Sequence, residues 1–485
     1  MRRRLLLPLF LLTVALLAGL QAQRTDRATA AWDLRPGAEP LRADTPLFSI
    51  RRLPEFLQAP TADRRLREAV SESMADFPAG TCLSVTEHGR DLVAVDAEAP
   101  MVPASAQKLL TGLAVLRRLG PDASLVTRVL ADRTPVDGVL DGDLWLVGGG
   151  DPLLMTTEYA ARFGDPEPYT DLSVLAKAVA DAGVRVVEGA VVGDESRYDP
   201  IRYLGTWHKR FKPGYQIQSG PLSALSVDDG FVDWHPVNTA SSLAVPADDP
   251  AEQAARIFDD LLEEQGIVIR RRADSGTVPI ASPAITLVEV PSAPMSAIIE
   301  QMLVESDNTT AELLIKELGA VGGEEGTTVR GLRVLEEVLA EAGHPMGGVV
   351  PQDGSGLDDD NRVTCRLLAS LLNDRVHGST LVDALPVAGS RGTMEKRFVG
   401  TAGEGRVRAK TGTLNNVVSL AGVADTTGGR RLAFALVSNG ELPTGIRDLH
   451  EEVVLSMLSY PDGPPAEVLG PRPAIDPLGA TTSGG

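Results

Sequence analysis

Cysteine is almost absent: 485 residues hold two, Cys82 and Cys365, and no spacing between them and a histidine resembles a metal site. The six histidines are scattered and form no H-x-x-x-H pair, so metal-dependent chemistry has no support and no cofactor is expected. Basic residues are also short. Lys plus Arg number 46 against 66 Asp plus Glu, a net charge of -20, which argues against nucleic acid or an anionic membrane surface as the main partner. Long apolar runs are confined to Leu5–Leu20, behind Arg2, Arg3 and Arg4, which is the pattern of an export signal. Either cleavage after a small-residue site such as Ala28-Thr-Ala30 or an uncleaved anchor fits, and without a cysteine after the apolar run the lipoprotein route is disfavoured. An exported chain with two cysteines has two outcomes, one Cys82–Cys365 disulfide or a pair of buried free thiols.

What is present reads as a globular chain, 43% hydrophobic, long enough for two or three domains. Residues 1–30 are read as signal or anchor, 31–60 as a linker rich in Arg, Ala, Pro and Asp, and the Pro, Gly and Ser-rich 461–485 as a disordered tail. Apolar alternation around His88-Gly-Arg90 predicts a hairpin over residues 81–95, and helical periodicity follows over residues 109–119, stopped by Gly120-Pro121. Residues 124–286 look different, with short β segments, Gly turns and two helical stretches at 171–182 and 249–265. Helical periodicity then returns, and the runs 417–424 and 431–438 around Thr-Thr-Gly-Gly predict a terminal hairpin, with Lys410 at or beside a sheet edge.

Three short words punctuate this pattern: Ser105-Ala-Gln-Lys108, Ser306-Asp-Asn308 and Lys410-Thr-Gly-Thr413. Each alone has a bland account. About one S-x-x-K is expected by chance in a chain of this length, Asp307-Asn308-Thr309 suits a helix start, and an edge lysine deters aggregation. Chemically, a serine at a helix N-terminus with a lysine three residues on presents a hydroxyl and an amine on one face. The amine serves as a base once burial and a second cation, for which Lys410 is the candidate, depress its pKa. The glycine and hydroxyls beside Lys410 make a strip that a substrate backbone and carboxylate can approach.

In this order, S-x-x-K, S-x-N and K-T-G resemble the penicillin-binding-protein and serine β-lactamase superfamily. Within it the chain resembles the D-alanyl-D-alanine carboxypeptidase/endopeptidase family of penicillin-binding protein 4 type. The narrower match rests on the 201-residue separation of Ser105 and Ser306, and on Asp143-Leu-Trp-Leu-Val-Gly-Gly-Gly-Asp-Pro152, Gly193-Asp-Glu-Ser-Arg-Tyr-Asp199 and Asp353-Gly-Ser-Gly-Leu357 leading into Asn361-Arg-Val-Thr364.

The resemblance implies an α/β (α+β) transpeptidase-type domain, an antiparallel sheet flanked by helices, split as residues 61–123 and 287–460 around inserted β-rich lobes at 124–286. It implies that Ser105 is acylated by peptidoglycan stem peptides, with β-lactam antibiotics as inhibitors. Lys108 would be the acylation base, Ser306 and Lys410 a proton relay to the leaving amine, and Asn308 a holder of the substrate amide. Thr411, Gly412 and Thr413 would bind substrate, and the N–H groups of Ser105 and Thr413 would form the oxyanion hole. One departure stands out: Asp358-Asp-Asp360 occupies the place where that family commonly carries Ser-Arg, leaving Arg362 and Arg391 as candidates for the missing cation. A serine β-lactamase and a catalytically idle wall-binding scaffold are the competing expectations. The site would lie outside the cytoplasm, with membrane contact only through an uncleaved anchor.

Overall fold

The computed structural model describes residues 54–163, 168–234, 244–279 and 284–462. The expected signal or anchor, most of the expected linker and the tail from residue 463 lie outside the described residues. Five antiparallel strands lie in the spatial order Val407–Leu414, Val417–Asp425, Arg431–Asn439, Thr81–Glu87, Arg90–Val95. The runs Val417–Asp425 and Arg431–Asn439 are apolar almost throughout because both faces of the sheet are covered. Successive side chains point to opposite faces. Leu420, Leu432, Phe434 and Leu436 therefore enter one core, while Ala421, Ala433, Ala435 and Val437 enter the other.

The first core is closed by the helices Pro54–Ser73, through Ala62, Leu66 and Val70, and Ile446–Met457, through Val453, Val454 and Met457. Pro54–Ser73 begins inside the span expected to be linker and carries Pro60 within it. The second core holds the helices Lys108–Leu119, Met295–Glu305, Asn308–Ala320 and Cys365–Leu371. Cys82 on a central strand and Cys365 at the start of its helix form a disulfide, Cα to Cα 6.0 Å, joining sheet to helical layer.

Strands between Val126 and Pro291 pair with one another in further sheets. The largest runs Asp274–Ser275, Val191–Asp194, Leu144–Val147, Val126–Ala131, Ile285–Pro291. Several of these pairs are parallel, which the Gly-punctuated texture did not suggest. The helices Leu172–Asp181 and Pro250–Glu264 cover a separate core that includes Leu146, Leu175, Val191 and Phe258. The Gly193-to-Asp199 segment docks this region onto Asn308–Ala320. Arg197 makes a two-pronged bond to Glu317 at 2.8 and 2.6 Å, Tyr198 Oη donates to Glu317 at 2.9 Å, and buried Lys316 donates to Asp199 at 2.5 Å. The helix that carries Asn308 is thus held from the strand-rich side as well as from the core. Among the described residues no helix is long and apolar enough to cross a membrane.

Candidate active site

Ser105 sits in a 3-10 turn, Ala104–Gln107, that runs directly into the helix Lys108–Leu119. Ala104 has φ of 47°, a left-handed conformation that costs a non-glycine residue on the order of 1 kcal/mol and must be held by its surroundings. Holding it, Ser419 Oγ donates to the carbonyl of Pro103 at 2.7 Å and Gln107 Nε2 donates to that of Asp353 at 3.1 Å.

Lys108 has no solvent exposure. Its amine donates to Ser105 Oγ at 3.2 Å, Asn308 Oδ1 at 2.7 Å and the carbonyl of Ser355 at 2.8 Å, which uses all three of an ammonium's donors. Burial pushes it down to about 8, against the opposing pull of Asp353, Glu312 and Asp307. Lys410, also without exposure, donates to the carbonyl of Thr411 at 3.0 Å. Burial first, then repulsion by Lys108, holds it well below the ordinary lysine range. Burial is the first cause at both amines, and the second cation comes after it, as the repulsion between Lys410 and Lys108.

Ser306 ends the helix Met295–Glu305 in a left-handed conformation, φ 61°, and Asp307 caps the next helix by accepting from Thr310 N at 3.0 Å. The break thus presents Ser306 and Asn308 to the cleft while Asp307 does the ordinary capping. Asn308 Nδ2 donates to the carbonyl of Gln218 at 2.7 Å, so a segment between the first and second words of the chain reaches the site.

Val407–Leu414 is the edge strand of the five-stranded sheet, and it carries Lys410 through Thr413 past the serine. A Cβ built on Gly412 would meet Ser419 Oγ at 2.2 Å and both the Pro103 carbonyl oxygen and Ser105 N at 2.9 Å. Only glycine lets this strand lie against the N–H of Ser105. Thr413 is exposed, and Arg447 Nη2 donates to its Oγ1 at 3.3 Å.

These pieces line one cleft of about 580 Å³, with Ser105, Ser306, Asn308, Thr411, Gly412 and Thr413 all in its wall. The buried amines of Lys108 and Lys410 lie behind it. Gln218, Phe211 and Leu414 also line it, and Trp207, Phe211 and Leu357 share one apolar cluster. The two arginines put forward for the missing cation do not line it. Arg362 folds back onto the carbonyls of Asp359 and Asn361, at 2.9 and 2.8 Å, and Arg391 pairs with Glu300. Arg162 lines the cleft instead, stacked on Tyr159 and paired with Asp229 at 2.9 Å. Asp359 and Asp360 are exposed, whereas Asp358 is buried with its Oδ1 capping Asp360 N at 2.9 Å. No motif announced Arg162, Arg447 or Gln218, since each comes from a segment without a recognisable word.

The fold is shared with penicillin binding protein 4 (dacB) from Haemophilus influenzae, TM-score 0.66 at 20% identity, over 80% of this chain and 98% of that one. In sequence, the chain is 30% identical over 493 residues to a D-alanyl-D-alanine carboxypeptidase of Actinomadura sp., covering 87% of this chain and 88% of that protein. It is 32% identical over 451 residues to Carboxypeptidase DacB of Mycolicibacterium smegmatis, covering 90% and 92%. Residues 66–241 and 236–455 match the D-Ala-D-Ala carboxypeptidase 3 (S13) family, and the chain belongs to that family.

Proposed function

We propose that this serine-type D-alanyl-D-alanine carboxypeptidase/endopeptidase works through an acyl-enzyme on Ser105, with the three words in the roles their chemistry suggests. Free Lys108 amine takes the Ser105 proton as Oγ attacks the carbonyl between two D-alanines. The N–H groups of Ser105 and Thr413 receive the oxyanion, a contribution worth on the order of 100-fold or more in rate per donor. As the tetrahedral species collapses, the C–N bond breaks and the leaving amine takes a proton through Ser306 and Lys410. Thr411 and Thr413 hold the terminal carboxylate, with Arg447 adding a cation beside Thr413. Asn308 holds the substrate amide once its Nδ2 gives up the Gln218 carbonyl. Water then attacks the ester, the Ser105 hydroxyl is restored, and the net change is hydrolysis.

The observation that carries this reading is the buried Lys108 amine, 3.2 Å from the Ser105 hydroxyl and lowered to about 8. Solved relatives of this fold include one complexed with a β-lactam and one named a peptidoglycan endopeptidase, which supports stem peptides as substrates and β-lactams as acylating inhibitors. That substrate lies outside the cytoplasm, where the Cys82–Cys365 disulfide also persists. The test is incubation with a defined stem pentapeptide and a cross-linked dimer, read by mass spectrometry. Release of D-alanine or of cleaved dimer is expected, and neither product from folded enzyme refutes the reading.

A further inference from the structure

Residues 353–356, the start of the Asp353-Gly-Ser-Gly-Leu357 segment, are stitched from two sides. Their carbonyls face the nucleophile's own turn and helix. Asp353 O accepts from Gln107 Nε2 at 3.1 Å, Gly354 O from Thr111 Oγ1 at 2.7 Å, and Ser355 O from Lys108 Nζ at 2.8 Å. The N–H groups of Gly354 and Ser355 point the other way, to a single carboxyl: Glu312 Oε1 accepts from Gly354 N at 3.0 Å and from Ser355 N at 2.7 Å. The loop lies hard against the Ser105 turn, since a Cβ on Gly356, at φ 88°, would meet the Ala104 carbonyl oxygen at 1.9 Å.

Glu312 lies one turn beyond Asn308 on the helix Asn308–Ala320 and has no solvent exposure. Two of the three acceptors of the Lys108 amine therefore depend on one helix, Asn308 directly and the Ser355 carbonyl through Glu312. A neutral glutamine would satisfy the same two N–H groups without the desolvation cost of a carboxyl. Yet a carboxyl is present, and its second oxygen, Oε2, is buried without a hydrogen-bond partner among the described residues. A group so costly to bury, packed behind the base, points to a role for its charge.

We propose that Glu312 is a positioning residue for acyl transfer: it fixes the Ser355 carbonyl beneath the Lys108 amine, and its carboxylate stabilises the ammonium that forms when Lys108 takes the Ser105 proton. The inference rests on Lys108 being the base. Burial, then Asp353, raises Glu312 and burial lowers Lys108, each toward its neutral form, so a charge on either one favours the opposite charge on the other. The other charges facing the pair are Asp353 on the loop, Asp307 at the helix start, Lys316 one turn further along, and Lys410 on the edge strand.

The sign follows. Removing the carboxylate removes an attraction for the ammonium, so Lys108 loses its proton at lower pH and the acid limb of acylation moves down. The measurement is the second-order rate of Ser105 labelling by fluorescent penicillin between about pH 6 and pH 10. In Glu312→Gln the limb is expected to shift down by about 0.5 to 1 pH unit, with the plateau within about threefold of wild type. Thr111→Val, which cuts the Gly354 tie without touching charge, is expected to lower the plateau and leave the limb in place. A Glu312→Gln limb that superimposes on wild type overturns the proposal, as does a Thr111→Val limb that moves equally far. Should Glu312→Gln not fold, Glu312→Asp keeps the charge but withdraws the oxygen by one methylene. It is expected to lower the plateau at an unmoved limb, and a wild-type plateau overturns the positioning role. Wild-type enzyme that fails to label at Ser105 counts against the functional reading, whereas normal labelling with an unmoved Glu312→Gln limb counts against this inference alone.

Discussion

Gly412→Ala is the substitution whose cost can be worked most directly from the site. The added methyl would lie 2.9 Å from the Pro103 carbonyl oxygen and 2.9 Å from Ser105 N, about half an ångström short of ordinary contact, and 2.2 Å from Ser419 Oγ. Ser419 is buried and tied to Pro103, so it cannot swing clear without freeing that carbonyl. The edge strand and the Ser105 turn must therefore part by roughly 0.5 Å or more, at the place where the two proposed oxyanion donors face each other. Overpacking of this kind costs on the order of 1 to 3 kcal/mol of stability. Misplacing an oxyanion donor costs on the order of 100-fold in rate. Gly412→Ala is accordingly expected to remain folded, with acylation by fluorescent penicillin slowed about 100-fold. Stopped-flow labelling beside a thermal melt separates the two effects. Acylation within about threefold of wild type refutes the reasoning.

Further outcomes follow from buried groups. With Lys108 lowered to about 8, roughly a tenth of it is free base at about pH 7, about 300-fold more than for an ordinary lysine. Acylation should rise about tenfold per pH unit below that value and then level, and a flat profile from about pH 6 to 9 contradicts a lysine base. His450, without exposure and bonded to Ser438 at 3.0 Å, is pushed down to about 3 by burial and then by Arg397. Its folded value lies below its unfolded one, so the stability it contributes is complete above about pH 6.5 and falls by about 1.4 kcal/mol per unit as pH drops toward 3. Urea midpoints with and without His450→Gln check this, and parallel acid limbs refute it. The Cys82–Cys365 bond spans 283 residues of sequence. Replacing both cysteines by alanine should cost about 2 to 5 kcal/mol, and an unchanged denaturant midpoint would show that the cross-link contributes nothing.

The three words were legible because each is built from local chemistry. A serine before an apolar-periodic helix, a break between two helices and a lysine beside a terminal hairpin all announce themselves within a few residues. The sheet was legible for the same reason, through alternation around His88-Gly-Arg90 and Thr-Thr-Gly-Gly. Other features depend on which distant segments meet. Pro60 and the composition of residues 31–60 disguised only the first turns of the helix Pro54–Ser73, whereas its later turns, through Leu66 and Val70, carry a helical period. Strands of two residues, such as Val186–Val187, are too short to carry a period, so their parallel pairing with Val268–Ile269 had no sequence signature. Arg362 and Arg391 were sensible candidates by proximity in sequence, but proximity does not say which way a guanidinium turns, and both turn to partners outside the cleft. Glu312 reads as an ordinary helix glutamate until the loop at 353–356 is folded over it.

The central claim is that Ser105 becomes covalently acylated, and peptide mapping of the penicillin adduct tests it most directly. Wild-type enzyme should carry one adduct on the peptide containing Ser105, with Ser105→Ala folded, unlabelled and unable to release D-alanine. An adduct on another residue, or undiminished D-alanine release from Ser105→Ala, contradicts the account.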